Sequence, residues 1–546
     1  MNCGSQKKHP GRILVPTGGE DMKNASRILA AALALVLLFG AFGSPVPASG
    51  ETAEQATLPV LIIETVRRDA DVTDFFTEPV APHVATAIAS WTPGYVMPPA
   101  PYYETCTISL ESGEGEPLLA PCDAQVKVRG NWTTTYPKKP LRIRFDEKQS
   151  LLGLNGGAAQ KNWLLLAEYK DASMLRNKAA LYVSREILGP DGLYAADADF
   201  VRVELNGEYL GLYLLADMQQ VSSCRVRITE PEKGYTGTDI GYFLEYDGYY
   251  TDEDALHRFP LDFAGNAPLR VYTGDPQSEK TMRALPTTRF DAKQPVGISI
   301  KSAVYSREQH DFIENFVNKT YRIMYEAACN GRAFVFDEAY GDIHETDALT
   351  PRQAVEQVVD LRSLADIYII SELTCDADIY WSSFYMDVDF GPGGSRKLRF
   401  EAPWDFDSAM GNKDRCLDGI GFYACNIVPD VNGGKNGGGA YDTINPWLVV
   451  LAHEDWYQAL VRETWTRAYE DGVFERCFEM IASDSARLRD EFEENYARWD
   501  NIRHRESFET ELSEPAKNCQ TEAEAADFLL QWLTARVAFL NSQWHT

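Results

Sequence analysis

The sequence predicts an α+β protein in which a mostly antiparallel, sheet-rich part is followed by a helical part. Segments in which apolar and polar residues alternate are concentrated before about residue 250, and long segments with helical periodicity begin near residue 306. A group of acidic side chains lies among the helical segments, after a short basic run at 396–400 that resembles a strand. We therefore expect two lobes, with a cleft and a functional site where they meet.

The elements of the first part follow from alternation and from turn residues. Asn206-Gly207 separates two alternating segments, 200–205 and 208–215, and favours a tight hairpin turn. A helix is expected to start near Asp171 and to end at Gly189-Pro190, since its apolar residues recur at helical spacing. The other predicted strands are 58–64, 124–130, 140–145 and 162–167.

The second part is predicted to be helical, with the acidic motif between two groups of helices. The glycine-rich tract 432–439 lacks the pattern of a phosphate-binding loop, and a flexible surface insertion is favoured there over a mobile lid. The predicted helices are 306–329, 351–373, 452–469, 478–498 and 522–542. The predicted organisation is a signal peptide with preceding residues (1–48), a lead-in (49–105), an N-lobe (106–250) and a C-lobe (251–546).

The N-terminus has the features of an export signal. An apolar run at 28–43 follows Lys23 and Arg27, and small residues at 46–48 provide a cleavage pattern near Ala48. An uncleaved anchor is the alternative, but the run is shorter than the roughly 20 residues that a membrane span needs. We therefore expect a secreted or surface-located protein without a stable membrane anchor.

The composition excludes several classes of function. The net charge of −29 disfavours nucleic acid and anionic membranes as partners and suits basic proteins. The sequence contains no CxxC, HExxH or GxSxG motif, so zinc sites and nucleophile-elbow hydrolases are not predicted. In an exported chain, the close pairs Cys106/Cys122 and Cys416/Cys425 would be the first candidates for disulfides.

Three aspartates are the candidates for chemistry. Asp405 and Asp407 are two positions apart between aromatic residues, and on an extended segment such side chains share a face. Two carboxylates on one face repel unless a cation lies between them, and Mg²⁺ is held by one or two carboxylates together with substrate phosphates. Asp378 lies 27 positions earlier and could handle a hydroxyl proton in phosphoryl transfer, with Asp376 as its rival. Capping roles are the alternatives for Asp378 and Asp407.

Basic residues in the first part stand out in so acidic a chain. Lys139, with Lys138 as its rival, is a candidate contact for phosphate just before a predicted strand. The further candidates are Arg129, Lys161, Arg176 and Lys178, although a single basic residue is usually a solvated surface group. Glu245 and Asp247 either support the site or simply end a strand.

Six segments resemble, in the right order, successive signatures of the CotH-type (spore coat protein H) kinase family. The resemblance extends from about residue 120 to 465, and several independent motifs make it specific. The segments are VKVRGNWTTTYPKKPLRIRF (126–145), KNWLLLAEYKDASMLRNKAAL (161–181), VRVELNGEYLGLYLL (201–215), GYFLEYD (241–247), ELTCDADIYWSSFYMDVD (372–389) and PWDFDSAMGN (403–412).

The resemblance implies a two-lobed atypical protein-kinase-like fold, with an antiparallel-sheet-rich N-lobe and a helical C-lobe. It implies transfer of the γ-phosphoryl group of ATP to Ser or Thr of protein substrates, with Mg²⁺ or Mn²⁺, and basic spore-coat or cell-surface proteins as possible partners. In that scheme Asp378 is catalytic, and Asp405 with Asp407 binds the metal. Ser383 stands where kinases place a metal-binding Asn, so the second metal site departs from the kinase pattern.

Two other functions compete with the kinase. The first is a catalytically inactive relative that assembles on a spore or cell surface, which the Ser383 departure favours. The second is a secreted carbohydrate-active protein, because abundant Trp and Tyr with paired acids would suit a sugar cleft. The basic candidates are better explained by phosphate than by sugar.

Overall fold

In the computed structural model, seven strands of the first half form a closed barrel. The structure describes residues 57–66, 74–274, 279, 282, 296–426, 428–430 and 441–546, all within one compact unit, Gln55–Thr546. The barrel order is β1-β2-β3-β4-β5-β7-β6, and β6 closes it by running parallel to β1. The strands are β1 Val60–Thr65, β2 Glu104–Glu111, β3 Pro117–Val128, β4 Leu141–Gln149, β5 Gln160–Leu166, β6 Ala198–Leu205 and β7 Glu208–Ala216.

Alternation and turn chemistry produce the barrel strands. In β1 and β2 buried residues alternate with more exposed ones, because successive side chains point to opposite faces of a strand. The β6–β7 hairpin turns at Asn206 and Gly207, whose φ angles of 54° and 81° fit a tight hairpin turn. Trp163 of β5 and Ile143 of β4 are fully buried in the barrel core. The predicted hairpin is confirmed.

A second, five-stranded antiparallel sheet pairs a strand from the predicted N-lobe with strands from the predicted C-lobe. Its order is β14-β13-β8-β10-β9, and β8 pairs with β13 so that Glu245 lies opposite Tyr385. Two small hairpins, β11–β12 and β15–β16, complete the strands of the described residues. The strands are β8 Gly241–Asp247, β9 Arg258–Pro260, β10 Gly297–Ile300, β11 Phe334–Phe336, β12 Ile343–Glu345, β13 Phe384–Asp389, β14 Arg399–Phe400, β15 Val428–Asp430 and β16 Tyr441–Thr443.

The described residues contain fourteen α-helices, most of them in the second half. They are α1 Asp74–Thr77, α2 Pro82–Trp91, α3 Leu154–Gly157, α4 Arg176–Leu188, α5 Phe263–Asn266, α6 Arg307–Asn330, α7 Pro351–Val358, α8 Leu361–Thr374, α9 Pro446–Val449, α10 Asp455–Glu470, α11 Val473–Arg487, α12 Arg489–Trp499, α13 Glu514–Asn518 and α14 Glu522–Trp544.

Two helices that the periodicity predicted as single are each divided in the structure. The segment 351–373 breaks at Val359, and the Asp360 side chain caps α8 by accepting from the backbone amides of Arg362 and Ser363. The segment 478–498 breaks at Leu488, between α11 and α12. Apolar residues recur at helical spacing on both sides of each break, so periodicity alone predicts a single helix.

The expectation of a two-lobed, protein-kinase-like fold is wrong, although a mixed α+β class is consistent with the structure. The barrel is closed, and its core includes Phe508, Leu512 and Ala516 from the C-terminal part of the chain. Helix α4, expected in the sheet-rich lobe, instead packs within the helical core. Strand β8, also assigned there, pairs with β13 of the helical half. The halves of the sequence are thus interleaved.

The remaining sequence-based predictions concern the signal peptide, the glycine-rich tract, membrane spans and disulfides. The signal peptide (1–48) and the glycine-rich tract (432–439) lie outside the described residues. Within the described ranges, we find no helix that combines the length and the apolar character needed to cross a bilayer. The nine described cysteines are free thiols, so neither predicted pair is bridged in this structure.

Candidate functional site

Three aspartates from two distant segments meet at one point. Asp378 lies in the turn that follows α8, and Asp405 and Asp407 lie just after β14 at a short 3₁₀ turn, Phe406–Ser408. One carboxylate oxygen from each aspartate lies within 4.8 Å of those from the other two, and all three side chains are half-buried. The structure therefore brings together the three acids that the sequence singled out.

The backbone around these acids adopts conformations that non-glycine residues rarely take. Asp405 has a φ of 72°, Ser383 of 58° and Met410 of 49°. Hydrogen bonds hold the segment in place, since the amide of Met410 donates to Thr374 O at 2.7 Å and that of Phe406 to Asn177 Oδ1 at 2.9 Å. Strain of this kind is found at functional sites, where the surrounding structure maintains it.

The clustered carboxylates shift one another's ionisation. Burial, together with Asp407 and Asp378, raises the pKa of Asp405 to about 8. Burial also raises the pKa of Asp378, but the ammonium group of Lys170 opposes this. A divalent cation would relieve the repulsion, and three clustered carboxylates are the hard oxygen ligands that Mg²⁺ and Mn²⁺ prefer. The residues therefore fit such an ion.

Asp376, the rival of Asp378, has a different environment. Its side chain is 1% exposed, and its Oδ1 accepts a hydrogen bond of 3.0 Å from the backbone amide of Asp378. Its Oδ2 is buried without a hydrogen-bond partner, and burial followed by the charge of Asp378 raises its pKa well above the ordinary value. Asp376 thus supports the turn, and Asp378 faces the cluster.

Lys170 contacts the acid cluster and was absent from the sequence-based candidates. Its ammonium nitrogen lies 3.7 Å from Asp407 Oδ1 and 2.9 Å from Glu511 Oε2, and it donates a hydrogen bond to Ser408 Oγ. Burial would lower the pKa of Lys170, but Asp407 and Glu511 outweigh burial and raise it well above the ordinary value. Lys170 remains a cation beside the metal candidates.

Two further cations border the cluster. The Arg129 guanidinium lies 5.9 Å from the centre of the Trp404 ring, and burial lowers its pKa while Asp405 opposes that effect. The Lys413 ammonium lies 5.5 Å from the centre of the Trp381 ring, and its charge helps to hold down the pKa of Asp378. Arg129 was predicted from the sequence, and Lys413 was not.

Lys139 and Lys161 use their ammonium groups elsewhere. Lys139 is 4% exposed and donates hydrogen bonds of 2.8 Å to the carbonyls of both Thr77 and Pro79. Burial lowers the pKa of Lys139 to about 8. Lys161 donates to the carbonyl of Asp146 at the surface of the barrel. The structure does not bring either residue to the three aspartates.

Arg176 and Lys178, on α4, form ion pairs of their own. Arg176 is fully buried and pairs with Asp171, which also accepts from the backbone amide of Arg176. Lys178 lies 2.7 Å from both Asp199 and Asp484. These pairs join α4 to its neighbours, so Arg129 is the one predicted cation that the structure places at the acids.

Strand β8, which pairs with β13 next to the site, also carries acidic residues, Glu245 and Asp247. The backbone amide of Ser383 donates to Glu245 Oε1 at 3.0 Å, and Lys301 pairs with the other Glu245 oxygen at 2.9 Å. Burial and Glu245 raise the pKa of Asp247 to about 6, and Lys301 opposes them. Glu245 thus fixes the turn between Asp378 and β13 from the second sheet.

The sequence could have indicated Lys170 only weakly. It lies in the segment 161–181, but a lone lysine in a loop is by default a solvated group. Its partner Glu511 lies 104 positions beyond Asp407, and no spacing rule connects them. Their contact is a property of the tertiary structure.

Comparison with known proteins gives one result that bears on identity. A search of curated proteins finds no match to this chain. A protein-family model described as CotH kinase protein matches residues 126–540, which include Arg129, Lys170, Asp378, Asp405 and Glu511. This match covers most of the chain and all of the candidate site, and the protein therefore belongs to the CotH kinase protein family.

Proposed function

We propose that this protein is a protein kinase that transfers the γ-phosphoryl group of ATP to a Ser or Thr hydroxyl, with Mg²⁺ or Mn²⁺. The observation that carries the proposal is the meeting of Asp378, Asp405 and Asp407 within 4.8 Å, bordered by Lys170 and Arg129. Phosphoryl transfer depends on positioning and charge neutralisation, and this arrangement supplies acids for a metal and cations for phosphates.

Asp405 and Asp407 would hold the divalent ion. They follow β14 and are fixed by the hydrogen bond from the amide of Phe406 to Asn177. When bound, the ion neutralises charge on the phosphate oxygens. The raised pKa of Asp405 reflects burial and negative charge around it, and a cation would favour its ionised form.

Asp378 would orient the acceptor hydroxyl and take its proton. As the oxygen–phosphorus bond to the acceptor forms, the bond between the γ-phosphorus and the ADP oxygen breaks, and ADP leaves. Asp378 must be ionised for this task, and Lys170 and Lys413 favour that form by lowering its pKa against the effect of burial. The Asp376 carboxyl holds the backbone of Asp378 in place.

We further propose an exported location and a basic acceptor protein. The apolar N-terminal segment supports export, and the net charge of −29 supports a basic partner by electrostatic attraction. A Ser- or Thr-containing segment flanked by Lys or Arg is the expected acceptor.

The test uses purified residues 49–546 with ATP labelled on its γ-phosphate, Mg²⁺ or Mn²⁺, and a basic Ser-rich acceptor protein. We expect transfer by the wild type and its loss in both Asp378→Ala and Asp405→Ala. Asp347→Ala is the matched control, because Asp347 is an exposed acid in the segment between β12 and α7.

Thermal stability measurements distinguish the metal-binding role of Asp405 from the proton-accepting role of Asp378. They also distinguish an active kinase from a catalytically inactive relative. Metal and ATP together should raise the melting temperature of the wild type and of Asp378→Ala, but not of Asp405→Ala, because a ligand that binds only the folded state stabilises it. Stabilisation without transfer in the wild type would favour a non-catalytic surface protein. Equal transfer by Asp405→Ala and the wild type would refute the metal role.

A further inference from the structure

The chain between α12 and α13, residues 500–513, crosses the acid site, and we call it the C-terminal strap. Phe508 packs edge-on against Tyr136 and Tyr169, with ring centres 5.4 and 5.7 Å apart. Leu512 is 4% exposed and belongs to the barrel core. Burial of these two side chains fixes the position of the short 3₁₀ turn Glu509–Glu511 between them.

The strap is also bonded to the segment that carries the metal candidates. The amide of Ser513 donates to the carbonyl of Asn412 at 2.8 Å, and its hydroxyl donates to that of Gly411 at 2.7 Å. Gly411 and Asn412 lie four and five positions after Asp407, and the Asn412 side-chain amide donates to the Asp407 carbonyl at 2.6 Å. The strap is therefore a wall of the acid site.

Glu511 is the strap residue whose side chain contacts a charged group of the acid site, the Lys170 ammonium. Its Oε2 lies 2.9 Å from the Lys170 ammonium, whose distance from Asp407 is 3.7 Å. The Lys170 side chain is 10% exposed, so its interactions with nearby carboxylates are weakly screened. Glu511 thus holds the ammonium closely and leaves Asp407 outside hydrogen-bonding distance of it.

Removal of Glu511 would change which acid Lys170 binds. Of the two carboxylates that pair with this ammonium in the described residues, Asp407 would then remain, and the ammonium would be drawn to it. An Asp407 oxygen engaged by Lys170 is no longer available to a metal ion, because ammonium and metal compete for the same lone pairs.

We propose that Glu511 is a positioning residue: it holds the Lys170 ammonium away from Asp407, which keeps Asp407 available for a divalent ion and Lys170 available for phosphate. The part of this inference that concerns phosphate rests on the proposed function. The part that concerns the metal rests on the cluster of Asp378, Asp405 and Asp407. Residues that orient metal ligands from outside typically contribute about 10–100-fold to metal affinity.

The experiment measures Mn²⁺ binding by electron paramagnetic resonance of the free ion, without nucleotide, for residues 49–546. We expect Glu511→Gln to weaken binding about tenfold. In a Lys170→Met background the same substitution should have little effect, since no ammonium remains to be drawn to Asp407. Glu511→Asp keeps the charge on a shorter side chain and should give an intermediate affinity.

Glu509→Gln is the matched control, because it removes the same charge from an exposed position in the same turn. Equal affinities for Glu511→Gln and Glu509→Gln would overturn the inference. A tenfold loss that persists in the Lys170→Met background would also overturn it, because that loss would come from general charge. Absence of Mn²⁺ binding by the wild type would refute both proposals, and binding without transfer from ATP would refute only the kinase.

Discussion

Two neighbouring aspartates illustrate how position decides chemistry at the residue scale. Asp376 and Asp378 belong to the same turn, but Asp376 is buried beneath it and accepts the Asp378 amide, whereas Asp378 faces Asp405 and Asp407. Burial, followed by the charge of Asp378, raises the pKa of Asp376 well above the ordinary value. Asp376 contributes to the site through the hydrogen bond that its carboxyl accepts from the Asp378 amide.

This difference gives a prediction for two conservative variants. Asp376→Asn retains an oxygen acceptor of the same shape, so we expect its transfer rate to stay close to that of the wild type. Asp378→Asn removes the proposed proton acceptor, and we expect the rate to fall by about 10²–10⁴-fold. Single-turnover transfer of labelled phosphate measures both. A larger loss in Asp376→Asn than in Asp378→Asn would reverse the assignment.

At the scale of elements, α8 connects the core to the turn that carries Asp376 and Asp378. All of its residues except Arg362 are buried, and it ends at Thr374, four positions before Asp378. Glu372 near its end pairs with the buried Arg536 at 2.7 Å and accepts from the backbone amide of Tyr423. Such pairing satisfies a buried charge, and removal of either partner is costly.

Asp366 on α8 provides a pH-dependent prediction. Its Oδ1 accepts from Thr464 of α10 at 3.1 Å, its Oδ2 is buried without a hydrogen-bond partner, and burial followed by Asp191 raises its pKa to about 8. Because the folded pKa exceeds the unfolded one, the contribution of Asp366 to stability is complete below pH 4 and is lost as pH rises through 8. The loss amounts to at most about 1.4 kcal/mol per pH unit.

Asp366→Asn cannot ionise, so it should become progressively more stable than the wild type between about pH 5 and about pH 8.5. Urea unfolding at both pH values measures the difference in the free energy of unfolding. Asp347→Asn, at an exposed position, should follow the wild type at both. A stability difference that is the same at the two pH values would show that the Asp366 carboxyl is ionised in the folded protein.

At the scale of the whole molecule, the barrel and the helices depend on each other. The strap supplies Phe508 and Leu512 to the barrel core, and α12 bonds to β7 through Trp499, whose indole nitrogen donates to the Leu210 carbonyl at 2.8 Å. Chain segments nearly 300 residues apart therefore stabilise one another. This interdependence predicts cooperative unfolding of the barrel and the strap.

Phe508→Ala should lower the free energy of unfolding by about 3–5 kcal/mol, because it removes a buried ring and leaves a cavity. Urea unfolding followed by tryptophan fluorescence measures this loss. Leu417→Ala is the control, since Leu417 is 42% exposed and its truncation should have little effect. Similar losses in both variants would mean that the strap does not stabilise the barrel.

The sequence by itself determined the local features of this protein. Alternation and the Asn206-Gly207 pair predicted the barrel hairpin, and helical periodicity located α6 and α14 within two residues of their observed ends. Motif spacing singled out Asp378, Asp405 and Asp407. These features depend on neighbouring residues, which a linear pattern records.

Only the tertiary structure decided what depends on distant pairing. The parallel contact of β1 with β6 closes the barrel, and it leaves no trace in either strand's own sequence. The same holds for Lys170 and Glu511, whose 2.9 Å contact joins positions 341 residues apart. The physical reason is that local patterns specify which face of an element is buried, whereas the partner that buries it is selected by packing of the whole chain.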